Sequence, residues 1–211
     1  MPTAVTDWMS QHGGAWERAV VHPFLDQCAD GTIDPRAFNR WLVQDRLFVL
    51  EFTRFAARLV QTCPVAHLDT LLGGMGALKD ELLWFEAKAD ERGLTLDVRP
   101  LQACSDYCAF MRGLYKAPYP VQAVGFWAIE RAYNEAWQRP GPMPAPYDEF
   151  ADRWGNPGFS AYVEQLTAQA DEALAATNET ERRPAEVIFL DIAGLESRFW
   201  QMAFADNGHT M

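Results

Sequence analysis

Apolar residues recur every three or four positions along nearly the whole chain, the spacing of one face of an α-helix. The pattern predicts a first helix from Ala15 through Leu25 to Cys28, with Pro23 as a kink, then a turn at Ala29-Asp30-Gly31-Thr32. Asp34 is placed to cap a long helix opening at Pro35 and running to about Thr62. A third helix spans Pro64 to Arg92 and closes on Gly93. A fourth runs from Gln102 to Tyr115, and the Ala117-Pro118-Tyr119-Pro120 stretch ends it. A fifth covers Val121 to Gln138, and Arg139 to Pro144 is a loop. A short helix at Tyr147 to Trp154 is followed by one from Pro157 to Ala176. The last helix runs from Thr180 to about Ala205, with Pro184 in its first turn. No alternating strand pattern occurs. The expectation is an all-α, single-domain bundle of seven or eight helices over residues 1–211.

Three acidic residues break these apolar faces. Asp45 lies in Phe38-x-x-Trp41-Leu42-x-x-Asp45-x-x-Phe48-x-x-x-Phe52. Glu130 lies in Phe126-Trp127-x-x-Glu130-x-x-Tyr133-x-x-x-Trp137, and Glu196 in Phe189-x-x-Ile192-Ala193-x-x-Glu196-x-x-Phe199-Trp200. The spacing turns each carboxylate toward the core with the rings. There it is costly unless paired, metal-bound or neutralised. The competing structural readings differ. Asp45 could cap a helix or join an ion pair, although it sits about three turns past the Asp34 cap. Glu130 could reach the polar edge formed by Arg131, Asn134 and Glu135. Arg198 lies on a different face from Glu196. Perturbed carboxyls in such surroundings are common at catalytic sites, so one cavity lined by Asp45, Glu130 and Glu196 is expected.

Composition narrows the partners. The chain has 211 residues, 49 % hydrophobic and 13 % aromatic, which is enough for a sizeable core. Its eight Trp can wall a flat ligand as well as pack a core. A net charge of −11 with scattered basic residues excludes a nucleic-acid surface and disfavours an anionic membrane. Met1 to Gly14 is mixed and polar, unlike a signal peptide, and no stretch of about 18 apolar residues occurs. The cytoplasm is the expected compartment.

No cofactor is expected. None of His12, His22, His67 and His209 follows a Glu by three residues, as a di-iron bundle requires. His22 could ligate a haem, but His22-Pro23 reads better as a structural kink, and an acidic pocket suits propionates badly. No metal site is therefore assigned. Cys28, Cys63, Cys104 and Cys108 form no CxxC pair; Cys104 and Cys108 flank Tyr107 with no His nearby in sequence to activate them, and all four read as packing thiols. What remains is acid–base chemistry on an amine-bearing or cationic ligand held between rings.

Several stretches in order resemble the TenA family, thiaminase II and its relatives. They are Trp16 to Phe24 (WERAVVHPF), Asp30-Gly31-Thr32, Phe38-x-x-Trp41-Leu42-x-Gln44-Asp45, Tyr107 in SDYCAFM, Trp154 with Tyr162, and Glu196-x-x-Phe199-Trp200. The resemblance implies a haem-oxygenase-like helical fold and a homodimer or homotetramer. It implies that Asp45 grips an aminopyrimidine, that Phe48 and Phe199 pack on the ring, that Tyr107 and Tyr162 supply hydroxyls, and that Glu196 is a general acid. Thiaminase-type members carry a nucleophilic Cys on the fifth helix; here that stretch reads AVGFWAIE and ends on Glu130. It looks like the Cys-lacking branch with a Glu in the site. The expected activity is hydrolytic release of an amine or amide from a 4-amino-2-methylpyrimidine in thiamin salvage, with Glu130 and Glu196 as the acid–base couple. A non-catalytic binder of the same ligands and an oxygenase resembling pyrroloquinoline quinone synthase remain the alternatives; the latter calls for a more basic pocket. A transcriptional regulator, another label used in the family, finds no support in so acidic a chain.

Overall fold

A computed structural model describes residues 4–204, apart from the side chain of Glu181. Ten α-helices run along them, with no strand among the described residues. In chain order they are α1 (Val5–Gln11), α2 (Gly13–Val20), α3 (Pro23–Ala29), α4 (Pro35–Thr62), α5 (Leu68–Glu91), α6 (Gln102–Gly113), α7 (Tyr119–Gln138), α8 (Asp148–Trp154), α9 (Pro157–Ala175) and α10 (Glu179–Ala203). Single 3₁₀ turns at Val65–His67 and Leu114–Lys116 lead into α5 and out of α6.

The helix starts follow local chemistry. Asp34 accepts the Arg36 N–H at 2.8 Å with Pro35 at the first helical position, as the sequence predicts. Asn156 accepts the Phe159 N–H at 2.9 Å ahead of Pro157. Gly93, at φ +64°, closes α5: its N–H bonds to Asp90 O at 3.1 Å and Leu94 N–H to Ala89 O at 2.8 Å, the two bonds of a Schellman motif.

Three expectations need correction. Pro23 does not kink a helix; it opens α3, because His22 is extended and its Nδ1 accepts the Phe24 N–H at 3.1 Å. The polar opening holds α1, whose two turns bury only Val5 and Trp8, too few positions to display a period; Asp7 accepts the Ala4 N–H at 3.0 Å. These two changes raise eight helices to ten. Pro184 lies inside α10, beyond the first turn, where it forgoes the bond to the carbonyl four residues back. The predicted end at Ala205, like His209, falls outside the described residues.

Helix α7 is buried on nearly every side and packs between α9 and α10, which is why it lacks a polar stripe. Helix α4 packs on α5, α6, α7 and α10. The rings knit these helices together. Trp41 is fully buried and meets Phe24, Phe38, Trp137, Phe150, Trp154 and Trp200, with ring centroids 5.2–6.4 Å apart. Trp41→Ala should remove about 3–5 kcal/mol of stability, and Trp41→Phe distinctly less. Urea unfolding followed by circular dichroism checks this.

Candidate functional site

Besides Glu51, which is paired with Arg54, Arg112 and Tyr115, four carboxyl groups are buried among the described residues, one on each of four helices: Asp45 on α4, Glu81 on α5, Glu130 on α7 and Glu196 on α10. Their exposures of 0, 8, 7 and 1 % exclude capping and surface-edge roles. Each helix presents its acid because rings and aliphatic groups flank it at helical spacing and pull that face inward.

Asp45 and Glu196 form the inner part of the site. The Tyr133 hydroxyl donates to Asp45 Oδ1 at 2.5 Å, and the Tyr107 hydroxyl to Glu196 Oε1 at 2.5 Å. Asp45 Oδ2 and Glu196 Oε2 are buried without a hydrogen-bond partner in the protein. Such atoms are rare in folded proteins and costly to leave unsatisfied. Phe48 sits between the two pairs. Its ring centroid lies 4.8 Å from Tyr107, 5.4 Å from Phe199 and 6.4 Å from Tyr133, the last ring nearly parallel to it.

Glu130 and Tyr162 face an adjoining cavity of about 340 Å³, shared with Glu81, Gly74, Arg153 and Phe159. Asp45 and Glu196 do not line it. Of the three acids expected to line one cavity, only Glu130 lines this one; Asp45 and Glu196 are buried outside its lining, in the inner part of the site. The Tyr162 hydroxyl lies over Gly74, where an added Cβ would meet it at 2.2 Å, so this approach requires glycine. That hydroxyl is also buried without a partner.

Burial governs the electrostatics. It raises Asp45 well above the usual carboxylate range, against the pull of the Tyr133 hydroxyl, and the charges of Glu81 and Glu196 raise it further. It pushes Glu196 up to about 8, with Tyr107 opposing. Glu130 is raised well above its usual value by burial and then by Glu81. Glu81 is pushed up to about 7, held there by Arg153 and Trp154.

Glu81 escaped the sequence reading. Its signal was present, because Gly74, Leu78, Glu81 and Phe85 share one buried face of α5. The exposed charges around it, Lys79, Asp80 and Glu86, made it look like part of a solvated face.

The Cys104 thiol donates to the Gln44 carbonyl at 3.4 Å, burial pushes Cys28 up to about 12, and no cysteine lines the cavity. No group of three or more His, Cys, Asp or Glu arranged to hold a metal occurs among the described residues. His12 contacts Glu186, His22 Gln201, and His67 Tyr119 and Glu172. No helix among the described residues is long and apolar enough to cross a membrane.

This arrangement, a helical bundle with carboxyl groups at its centre, has relatives. Residues 9–206 match the model of the TENA/THI-4/PQQC family, and the chain belongs to that family. A soybean (Glycine max) protein named probable bifunctional TENA-E protein is 34 % identical over 208 residues, 93 % of this chain and 91 % of that one. An aminopyrimidine aminohydrolase of Halalkalibacterium halodurans is 22 % identical over 90 % of each chain. The solved structure of a TenA homologue from Pyrococcus furiosus superposes with a TM-score of 0.90 at 26 % identity, covering 94 % of this chain and 98 % of that one. The fold is the all-α, haem-oxygenase-like fold of TenA proteins, as the sequence resemblance implied.

The raised carboxyls make stability pH-dependent. Glu81 and Glu196 ionise near 4.5 when unfolded but at about 7 and about 8 when folded. The folded state therefore binds more protons across this window. The contribution is full below pH 4.5 and is lost as pH rises through the two folded values. The melting temperature of the ligand-free protein should fall between about pH 5 and 9, by the equivalent of a few kcal/mol. Glu196→Gln should flatten the alkaline part of that fall in scanning calorimetry.

Proposed function

We propose that this protein is a hydrolase acting on C–N bonds of thiamin-related pyrimidines. It releases an amine or amide from the substituent of a 4-amino-2-methylpyrimidine, in thiamin salvage. The observation that carries the reading is the inner compartment: two carboxyls, each fixed by one tyrosine, each with a second oxygen buried and unpartnered, beside a wall of rings. A neutral carboxyl offers one donor and one acceptor, the complement of a ring nitrogen next to an amino group. Asp45, kept neutral by burial, meets that edge; Phe48 and Phe199 pack on the ring; Tyr107 fixes Glu196. The substituent then points toward Glu130 and Tyr162, where the cavity has room for an amine or a formyl group and for water.

Supporting this reading are the aminopyrimidine aminohydrolases of Halalkalibacterium halodurans and Helicobacter pylori among the relatives, and the TENA-E protein of soybean. In this reading Glu130 takes the place of the nucleophilic cysteine of thiaminase-type members, and the chain belongs with the Cys-lacking branch. The scarcity of cationic groups disfavours the oxygenase alternative, since Arg153 alone brings positive charge to the cavity lining.

The test is to incubate the protein with 4-amino-5-aminomethyl-2-methylpyrimidine, its N-formyl derivative and thiamin, and to follow the hydroxymethyl and aminomethyl products by chromatography. Turnover of either simple pyrimidine, with thiamin left intact, is expected. Binding without turnover would make the protein a binder; cleavage of thiamin alone would move it to the thiaminase class.

Asp45→Ala, which removes both the donor and the acceptor, should keep the fold and weaken pyrimidine binding roughly five- to hundredfold, the range of about 1–3 kcal/mol for leaving a buried polar partner unsatisfied. Unchanged affinity in calorimetry removes Asp45 from the ligand. N-ethylmaleimide should leave turnover intact. Rapid stoichiometric inactivation, blocked by substrate, would restore a cysteine nucleophile.

A further inference from the structure

Building on the hydrolase reading, we propose that Glu81, which no sequence motif singled out, is the catalytic residue that takes the proton from water, with Glu130 across the same cavity as the acid that gives one to the departing nitrogen. Glu196 then belongs to the inner compartment and acts on binding.

Geometry makes the division. Glu81 and Glu130 line one cavity; Asp45 and Glu196 do not, and each of those is tied to a tyrosine hydroxyl. Tyr162, whose hydroxyl is buried without a partner, lines the same cavity over Gly74 and is close enough to feel the Glu130 charge. Arg153 reaches the cavity from α8 with its guanidinium 4.2 Å over the Trp84 ring, and it is the one cation lining it.

Glu81 is coupled to charged groups on three helices. Asp45 faces it from α4, Glu130 from α7, and Arg153 from α8. Trp154, also of α8, adds an indole hydrogen bond. Arg153 and Trp154 favour the ionised form of Glu81, while the charge on Glu81 favours the neutral form of Glu130. Glu81 is thus the more readily ionised of the two and Glu130 the more readily protonated, the direction of split that acid–base catalysis needs.

The step balances. The Glu81 carboxylate takes a proton from water as the water oxygen bonds to the exocyclic methylene carbon. The carbon–nitrogen bond breaks, and its electron pair stays on nitrogen. The Glu130 carboxyl proton goes to that nitrogen, and ammonia leaves. The products are the hydroxymethylpyrimidine and ammonia, with Glu81 protonated and Glu130 ionised. Proton exchange through water in the cavity restores the starting pair.

The experiment measures kcat and KM against pH, with 4-amino-5-aminomethyl-2-methylpyrimidine, for the wild type, Glu81→Gln, Glu81→Asp and Arg153→Met. Glu81→Gln is expected to lower kcat by about 10²–10⁴-fold with KM little changed, and Glu81→Asp to recover part of the loss. Arg153→Met should move the acid limb of the profile to higher pH, because Glu81 loses the cation that favours its charge. That shift keeps the test decisive if Glu81→Gln fails to fold, which thermal melts would reveal. An active wild type with a folded, fully active Glu81→Gln, or with an acid limb unmoved in Arg153→Met, overturns the role of Glu81 and leaves the hydrolase reading standing. A wild type that binds the pyrimidine and never turns it over overturns both.

Discussion

The molecule is organised around carboxyl groups that cannot easily be charged where they sit. An isolated carboxylate in an apolar interior costs several kcal/mol, which no single contact here offsets. Asp45 and Glu196 each receive one tyrosine hydroxyl, enough to fix their orientation and too little to hold them ionised. The protein therefore keeps polar, protonatable groups at its centre, with oxygens aimed at nothing the chain itself provides. In the proposed reading that is a state prepared for a ligand, because a partner supplying the missing bonds recovers free energy that folding does not.

Such a site survives only in a rigid frame. The frame here is aromatic: Trp41 and its neighbours join α3, α4, α7, α8 and α10 through rings in contact. Rings lose little side-chain freedom on packing and cover much area, so they hold the acids at fixed depth. Helix α7, buried on nearly all sides, carries both Tyr133, which grips Asp45, and Glu130, which faces the cavity. Any shift of α7 would move both compartments together.

The two compartments differ in a way that matches a division between holding a ring and acting on its substituent. The inner part is aromatic, and each of its two acids is tied to a tyrosine hydroxyl. The outer one has volume, a cation in its lining and two acids of unlike character. In the proposed reading the pyrimidine is recognised in the first and loses its substituent in the second. The membership of the chain in the TENA/THI-4/PQQC family fits that arrangement.

Much of this was legible in one dimension. Helical period fixed the long helices to within a few residues, because burying one face of a helix imposes a spacing that the sequence must carry. The same logic exposed Asp45, Glu130 and Glu196, since an acid among rings at helical spacing is conspicuous. Glu81 was hidden because its neighbours in sequence are charged, and only the packing of α4, α8 and α9 around α5 shows which of those charges faces inward. The break at His22 was missed for a related reason: the apolar pattern continues through it, and the cap is made by a side chain whose rotamer no pattern encodes. Depth was likewise invisible. Periodicity tells which face of a helix is buried, but not how far along a neighbouring helix each residue lies. Which of the buried acids line the cavity was therefore decided by how the helices pack, a property of the tertiary structure alone.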